Sequence, residues 1–206
     1  MRVLIIILGF LLNISAVSGQ NITNSERFYK GKRFNHDTLD FIKYKIVICD
    51  SNYAPFASRN IFPKNRFKPS IAHVDTIENN LKKQYSNAER LYFNFSFENI
   101  KNTKSDYTSK EFRKLKRYYK KSNISKIVKG LQDRFEKNFC DFDREYYGYI
   151  GANNKRYIRI IFVPHEQKFV DIPGTGEAIL DNLPNLTYNL DSNILYLAGW
   201  TGEKDE

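Results

Sequence analysis

Histidine and cysteine are scarce in these 206 residues: three of the first and two of the second. His36, His73 and His165 form no HExxH, HxH or paired-cysteine spacing, so no metal site is expected. No Gly-x-Ser-x-Gly or Ser-x-x-Lys motif offers a serine nucleophile. Cysteine–histidine catalysis needs an activated thiol beside an imidazole. Cys49 lies in an apolar run and Cys140 follows an apolar stripe, so both are expected to be buried. Pro173-Gly-Thr-Gly176 lacks the Gly-Lys-Ser/Thr ending of a phosphate loop, and no helix pattern follows it; its glycines suit a turn. No catalytic residue, cofactor or metal is therefore assigned, and a non-enzymatic role is preferred. Beyond residue 12 no apolar run approaches the ~20 residues that span a bilayer.

What is present begins with an address. Arg2, the apolar stretch Val3–Leu12 and the small residues Val17-Ser-Gly19 have the layout of a cleavable signal peptide over residues 1–19, with cleavage before Gln20. An uncleaved anchor is the alternative. Export makes a disulfide between Cys49 and Cys140 a reasonable expectation. Such a bridge would close a loop of about 90 residues, worth roughly 4–5 kcal/mol in the chain-entropy view. Two unrelated buried thiols are the other reading.

The formal charge is +10, and its distribution is uneven. Residues 101–137 hold 13 Lys/Arg against 4 Asp/Glu, whereas residues 138–206 hold 6 against 11. The basic stretch reads either as a solvated helical face or as a docking patch for an anionic partner: a protein, a polysaccharide or a membrane surface. Nucleic acid is disfavoured because the chain has an export address and shows no nucleic-acid module.

Residues 20–40 are polar and aperiodic, and are expected to form a flexible N-terminal segment; residues 41–206 are expected to form a single domain. Phe41–Cys49 is a plausible strand. Pro69-Ser70 opens a helix whose face is Ile71, Val74, Ile77, Leu81 and Tyr85, with Lys82 and Lys83 near its end and Ser86-Asn87 as its stop. His73, Asp75 and Glu78, on or beside it, are given solvated or capping roles. Phe93, Phe95 and Phe97 alternate with smaller polar residues, which predicts a strand over 91–97 and a polar loop over 99–108. Phe112, Leu115 and Tyr119, then Ile124, Ile127, Val128, Leu131, Phe135 and Phe139, predict helix over 109–139 with a break at Ser122–Ser125. Residues 145–163 form a candidate hairpin turning at Asn153-Asn154, and 185–190 pair with 194–200 through Asp191–Asn193.

The fold class expected is α+β: a mainly antiparallel sheet of four to six strands with two or three amphipathic helices packed on one face. Pro69-Ser70 before the helix bearing Glu78, Arg144-Glu-Tyr-Tyr-Gly-Tyr-Ile150, Tyr157-Ile-Arg-Ile-Ile-Phe162 and Tyr188-Asn-Leu-Asp191 before an apolar strand and Gly199 resemble small exported proteins of Bacteroidetes, across residues 69–203. The chain departs from that pattern at Gly174-Thr-Gly176, where a Gly-Gly loop is expected, and at Ala198-Gly-Trp200, where an Asn-Gly is expected. The resemblance implies fold and a periplasmic or secreted address, and no reaction. A binding or interaction protein of the cell envelope is the leading functional reading. The alternatives are an envelope hydrolase with a site in the 164–182 connection, where His165 and Glu166 follow an Ile-rich run, and a secreted inhibitor or immunity-type partner.

Overall fold

In the computed structural model the residues described are 22–29, 32–53, 65–151, 153–164 and 185–197. The strands are β1 (Ile22–Tyr29), β2 (Lys32–Asp40), β3 (Lys45–Ile48), β4 (Arg66–Phe67), β5 (Phe142–Ile150), β6 (Arg156–Pro164), β7 (Asn185–Asn189) and β8 (Ile194–Leu197). Between β4 and β5 lie α1 (Ile71–Asn102), α2 (Ser109–Tyr118) and α3 (Lys121–Lys137). The strands form one sheet in the order β1-β2-β3-β5-β6-β7-β8, with the short β4 also pairing with β5. The architecture is α+β, as expected, and the sheet is wider than expected.

The extra width comes from residues 22–40. Their polar sequence carries no apolar stripe, yet β1 and β2 pair antiparallel from Ile22 opposite Leu39 to Tyr29 opposite Lys32. β2 then pairs with β3. Backbone hydrogen bonding is independent of side-chain polarity, so an aperiodic segment can extend a sheet that already exists. Among the described strands β3 and β5 form the one parallel pair, Ile46 opposite Arg144 and Ile48 opposite Tyr146. A parallel pair needs a long crossover, and here the three helices lie within it.

All three helices fall on the same stretch of chain, and the main core lies between α1, α3 and one sheet face. Ile46, Ile48, Tyr146, Ile158, Ile160, Phe162, Leu186, Tyr188, Leu195 and Leu197 meet Val74, Ile77, Leu81 and Tyr85 of α1 and Phe135 of α3. The register explains the set: Tyr146 sits opposite Ile160, Ile160 opposite Leu186 and Leu186 opposite Leu197, all on one side. Tyr85 and Phe135 stack with ring centroids 3.9 Å apart, locking α1 to α3. Gln132 of α3 adds a 2.8 Å hydrogen bond to the Lys82 carbonyl.

α1 overrides the predicted strand at 91–97. Its 32 residues contain no glycine or proline, and Ser86 and Asn87 lie within it. Lys82 and Lys83 therefore stand in mid-helix rather than at its end, and Lys82 lies over the Phe139 ring at 4.3 Å. The alternating phenylalanines of 91–97 do not form a sheet face. Phe97 instead stacks on Tyr119 at 5.1 Å, and Phe93 meets the same ring edge-on at 6.1 Å. The first four residues of the expected 99–108 loop belong to α1, and Lys104–Asp106 make a 3-10 turn. The break between α2 and α3 comes at Tyr119-Lys120, ahead of the predicted Ser122–Ser125. Asn123 still contributes to it, donating to the Arg117 carbonyl at 2.9 Å and so satisfying the end of α2.

The two predicted hairpins form. Asn154, at φ 60°, sits in the β5–β6 turn, and Asn193, at φ 55°, in the β7–β8 turn. Asparagine tolerates this left-handed backbone better than most residues. Asn189 accepts hydrogen bonds from the Asp191 and Ser192 amides, and Asp191 in turn binds Arg156 through both its backbone amide and its guanidinium.

Candidate functional site

Three places concentrate charge or polarity: a buried ion pair under the helices, the sheet face away from them, and the helical surface of residues 90–137.

The buried pair joins α1 to β5. Arg144 is fully enclosed, its guanidinium 4.0 Å from the Tyr44 ring centroid, 3.8 Å from Phe139 and 5.3 Å from Phe162. Its Nη2 donates to the Phe139 carbonyl at 2.6 Å, and its Nη1 lies 3.6 Å from Glu78 Oε2. The hydroxyls of Tyr44 and Tyr146 both donate to the Glu78 carboxylate. Burial nevertheless raises the Glu78 pKa, outweighing the Arg144 charge and the two tyrosines. Burial and the Glu78 charge push Tyr44 up to about 12. Glu78, expected to be solvated or capping, is instead the acid of a closed structural network. Arg144, Tyr44 and Tyr146 converge on the largely enclosed carboxylate, and the arrangement ties α1 to the sheet.

The opposite sheet face is polar but not bare. Val47, Cys49, Tyr53, Tyr147 and Ile161 form a second, smaller apolar cluster. Glu145 and Tyr147 are both buried there, the tyrosine hydroxyl donating to the carboxylate. Arg159 donates from Nε to Asn185 at 2.9 Å. His36 is buried, accepts the Asp50 amide proton at 3.1 Å and meets the Tyr53 ring edge-on. His73 does what its position at the start of α1 allows: it accepts from the Ser70 amide while Ser70 accepts from the His73 amide.

Both cysteines are free thiols. Cys49 belongs to the apolar cluster on the far face, while Cys140 packs against the helix-side core, so the sheet separates them. The expected disulfide is not formed for that reason. His165, Glu166, the Gly-Thr-Gly turn and residues 165–182 of the 164–182 connection lie outside the described residues. Among the described residues, no group of three or more His, Cys, Asp or Glu is placed to hold a metal ion, and no helix is long and apolar enough to cross a membrane.

The helical surface carries the basic stretch of residues 101–137. The buried residues of α1 end at Glu89. The 13 residues that follow, roughly 20 Å of helix, find their described side-chain partners in their own helix and in the helices after it: Arg90 donates to Ser125, and Phe93 and Phe97 hold Tyr119. α2 has no buried residue. At 100° per residue, Phe112, Leu115 and Tyr119 share one side of it. Lys110, Arg113, Lys114 and Arg117 spread over the other, and Lys116 lies on the flank beside Phe112. In α3, Lys126, Lys129 and Lys137, with Asp133 among them, lie opposite Ile124, Val128, Leu131 and Phe135. Tyr118 is 49% exposed and Tyr92 37%. Most cations of α2 and α3 lie away from the apolar stripes, while Lys101 and Lys104 lie over the Phe97 and Phe112 rings. Thr108 and Glu111 close α2 with a capping box, which burdens its first turn with the single acid of that helix.

Comparison with protein-family models, with curated proteins and with solved structures gives no match. The reading of function rests on this geometry alone. Sequence reasoning found the basic region and missed the Arg144–Glu78 network. The signal available was an arginine in a strand that otherwise presents Tyr146 and Gly148 to the core, at the same parity.

Proposed function

We propose that this chain is an exported, non-enzymatic binding protein of the cell envelope that docks on an anionic membrane surface through the arm formed by the end of α1, α2 and the start of α3. One observation carries the reading: four cations, Lys110, Arg113, Lys114 and Arg117, cover the side of α2 away from the apolar stripe that seats it on α1. Residues 101–137 carry ten lysines against three arginines. Lysine is a point charge that lacks the fork geometry needed to read one defined acid. Diffuse charge along an exposed helix suits a flat, fluid anionic layer better than a polymer that must lie in a groove. The exposed Tyr92 and Tyr118 add amphipathic rings of the kind that favour the headgroup region. Each cation near such a surface contributes about 1 kcal/mol. The signal-peptide layout and the resemblance to exported Bacteroidetes proteins support the address.

Vesicle co-sedimentation tests this. The protein should pellet with phosphatidylglycerol-containing vesicles and not with pure phosphatidylcholine, and raising salt well above about 0.15 M should release it. Replacing Lys110, Lys114, Lys116 and Arg117 with glutamate should abolish pelleting while leaving the circular dichroism unchanged. Equal binding by the charge-reversed protein, or no binding at low salt, sinks the proposal. Binding to an acidic polysaccharide with none to vesicles would transfer the arm to that partner.

A further inference from the structure

The outer edge of β8 is closed by a side chain. Among the described residues β8 is the last strand of the sheet, paired one-to-one with β7 from Leu186 opposite Leu197 to Asn189 opposite Ile194. Its sequence, Ile-Leu-Tyr-Leu, has no charge and no proline, and the regular pairing leaves no bulge. Natural sheets use those features to keep an edge from adding a strand of another molecule. Shortness is the one such restraint that β8 has in itself.

Gln84 of α1 supplies another. Its Nε2 donates to the Asn193 carbonyl at 2.9 Å, and its Oε1 accepts from the Leu195 amide at 2.9 Å. In an antiparallel ladder alternate residues turn their backbone groups to opposite sides. The Leu195 amide meets Gln84 and not β7, so residues 193, 195 and 197 face outward. A carboxamide carries an acceptor oxygen and a donor nitrogen side by side, as a peptide group does. It therefore takes the place of a further strand at this point of the edge.

The position of Gln84 in α1 supports that role. Ile77, Leu81, Gln84 and Ala88 follow at steps of four, three and four residues, which is one stripe of a helix. Ile77, Leu81 and Ala88 are fully buried. The pattern calls for an apolar residue at 84. A glutamine stands there instead, and both its polar groups are taken up by the edge of β8.

We infer that the β8 edge is a self-association surface of this chain and that Gln84 keeps it closed. The occupant is β8 of a second copy, paired antiparallel about Leu195. In that register Leu195 meets the same residue of the second copy, Ile194 meets Tyr196 and Asn193 meets Leu197, so no charges oppose one another. A two-fold contact of this kind is self-complementary. It needs the Leu195 amide, which Gln84 holds, so the side chain and the second strand compete for one hydrogen. No residue of the basic arm takes part, and the inference does not rest on membrane docking.

Gln84→Ala and Gln84→Met test it, since both replacements favour helix and neither can make the two bonds. Sedimentation of the full chain over a concentration series, with amide hydrogen exchange, reads the outcome. The wild type should remain a monomer with a protected Leu195 amide. At low concentration either variant should exchange that amide about tenfold faster, through loss of one hydrogen bond. At high concentration both should dimerise, and the Leu195 amide should regain its protection. A role confined to stability would speed exchange at every concentration. Adding Ile194→Lys to either variant should return the monomer, because a lysine on an edge opposes pairing. Unchanged exchange in β5 and β6 shows that the fold is intact, and the methionine variant keeps the stripe filled where alanine does not. Variants that stay monomeric throughout, a wild type that already pairs through β8, or dimers that Ile194→Lys leaves in place would overturn the inference.

Discussion

Arg144 and Glu78 show how a single residue decides what its neighbours must be. A guanidinium with no exposed surface is tolerable because three rings, one carbonyl and one carboxylate surround it. Removing one partner strands the other. Arg144→Met should therefore cost about 3–5 kcal/mol, and adding Glu78→Leu should restore most of it, because a buried pair breaks even against apolar groups of similar volume. Urea unfolding of the two variants measures both. The same pair sets a pH dependence. Burial holds the Glu78 pKa above its usual 4.5, so the native state binds the extra proton. Its contribution to stability is full below that value and declines as pH rises through the folded pKa. Buried Glu89, raised by burial beside Tyr85, acts in the same direction. Glu78→Gln should remove its share of the slope and leave that of Glu89, which stability measured from pH 4 to pH 8 by denaturant titration at about one-unit steps resolves.

Among the elements, α2 depends on the smallest set of contacts. It buries no residue, and Tyr119, at its C-terminal boundary, joins it to Phe93 and Phe97 of α1. Tyr119→Ala should destabilise this junction by roughly 1–2 kcal/mol. The loss should be local: faster hydrogen exchange over 109–118 with β5 and β6 unchanged, since those strands do not touch α2's ring contacts. Slowed or uniform exchange would mean that α2 is held some other way. The element also shows how far a periodic pattern can be read. The helix at 71–85 was legible from its three- and four-residue spacing, and so were both hairpins from their asparagine turns. The 91–97 segment was not, because Phe93, Phe95 and Phe97 satisfy a strand alternation in sequence while the uninterrupted helix before them carries through. Local propensity loses to continuation of an existing helix, where each added residue gains a bond without a new nucleus.

For the whole molecule, the sheet separates two environments. One face carries the helices and the larger core; the other carries the small apolar cluster and the buried Glu145. The separation settles the thiols: titration of denatured, unreduced protein should find two free thiols, and none would return the disulfide.

The sequence by itself determined the class of fold, the amphipathic helices, the hairpin turns and the concentration of lysine between residues 101 and 137, because each is a local pattern of spacing or charge. Tertiary structure decided the rest. Whether residues 22–40 join the sheet depends on a free strand edge, which no side-chain pattern announces. Whether Cys49 meets Cys140 depends on which faces they occupy. Whether β4 can pair with β5 depends on Gly148, where a Cβ would meet the Phe67 carbonyl. These are long-range coincidences in space, and the chain encodes them only through the folded sheet.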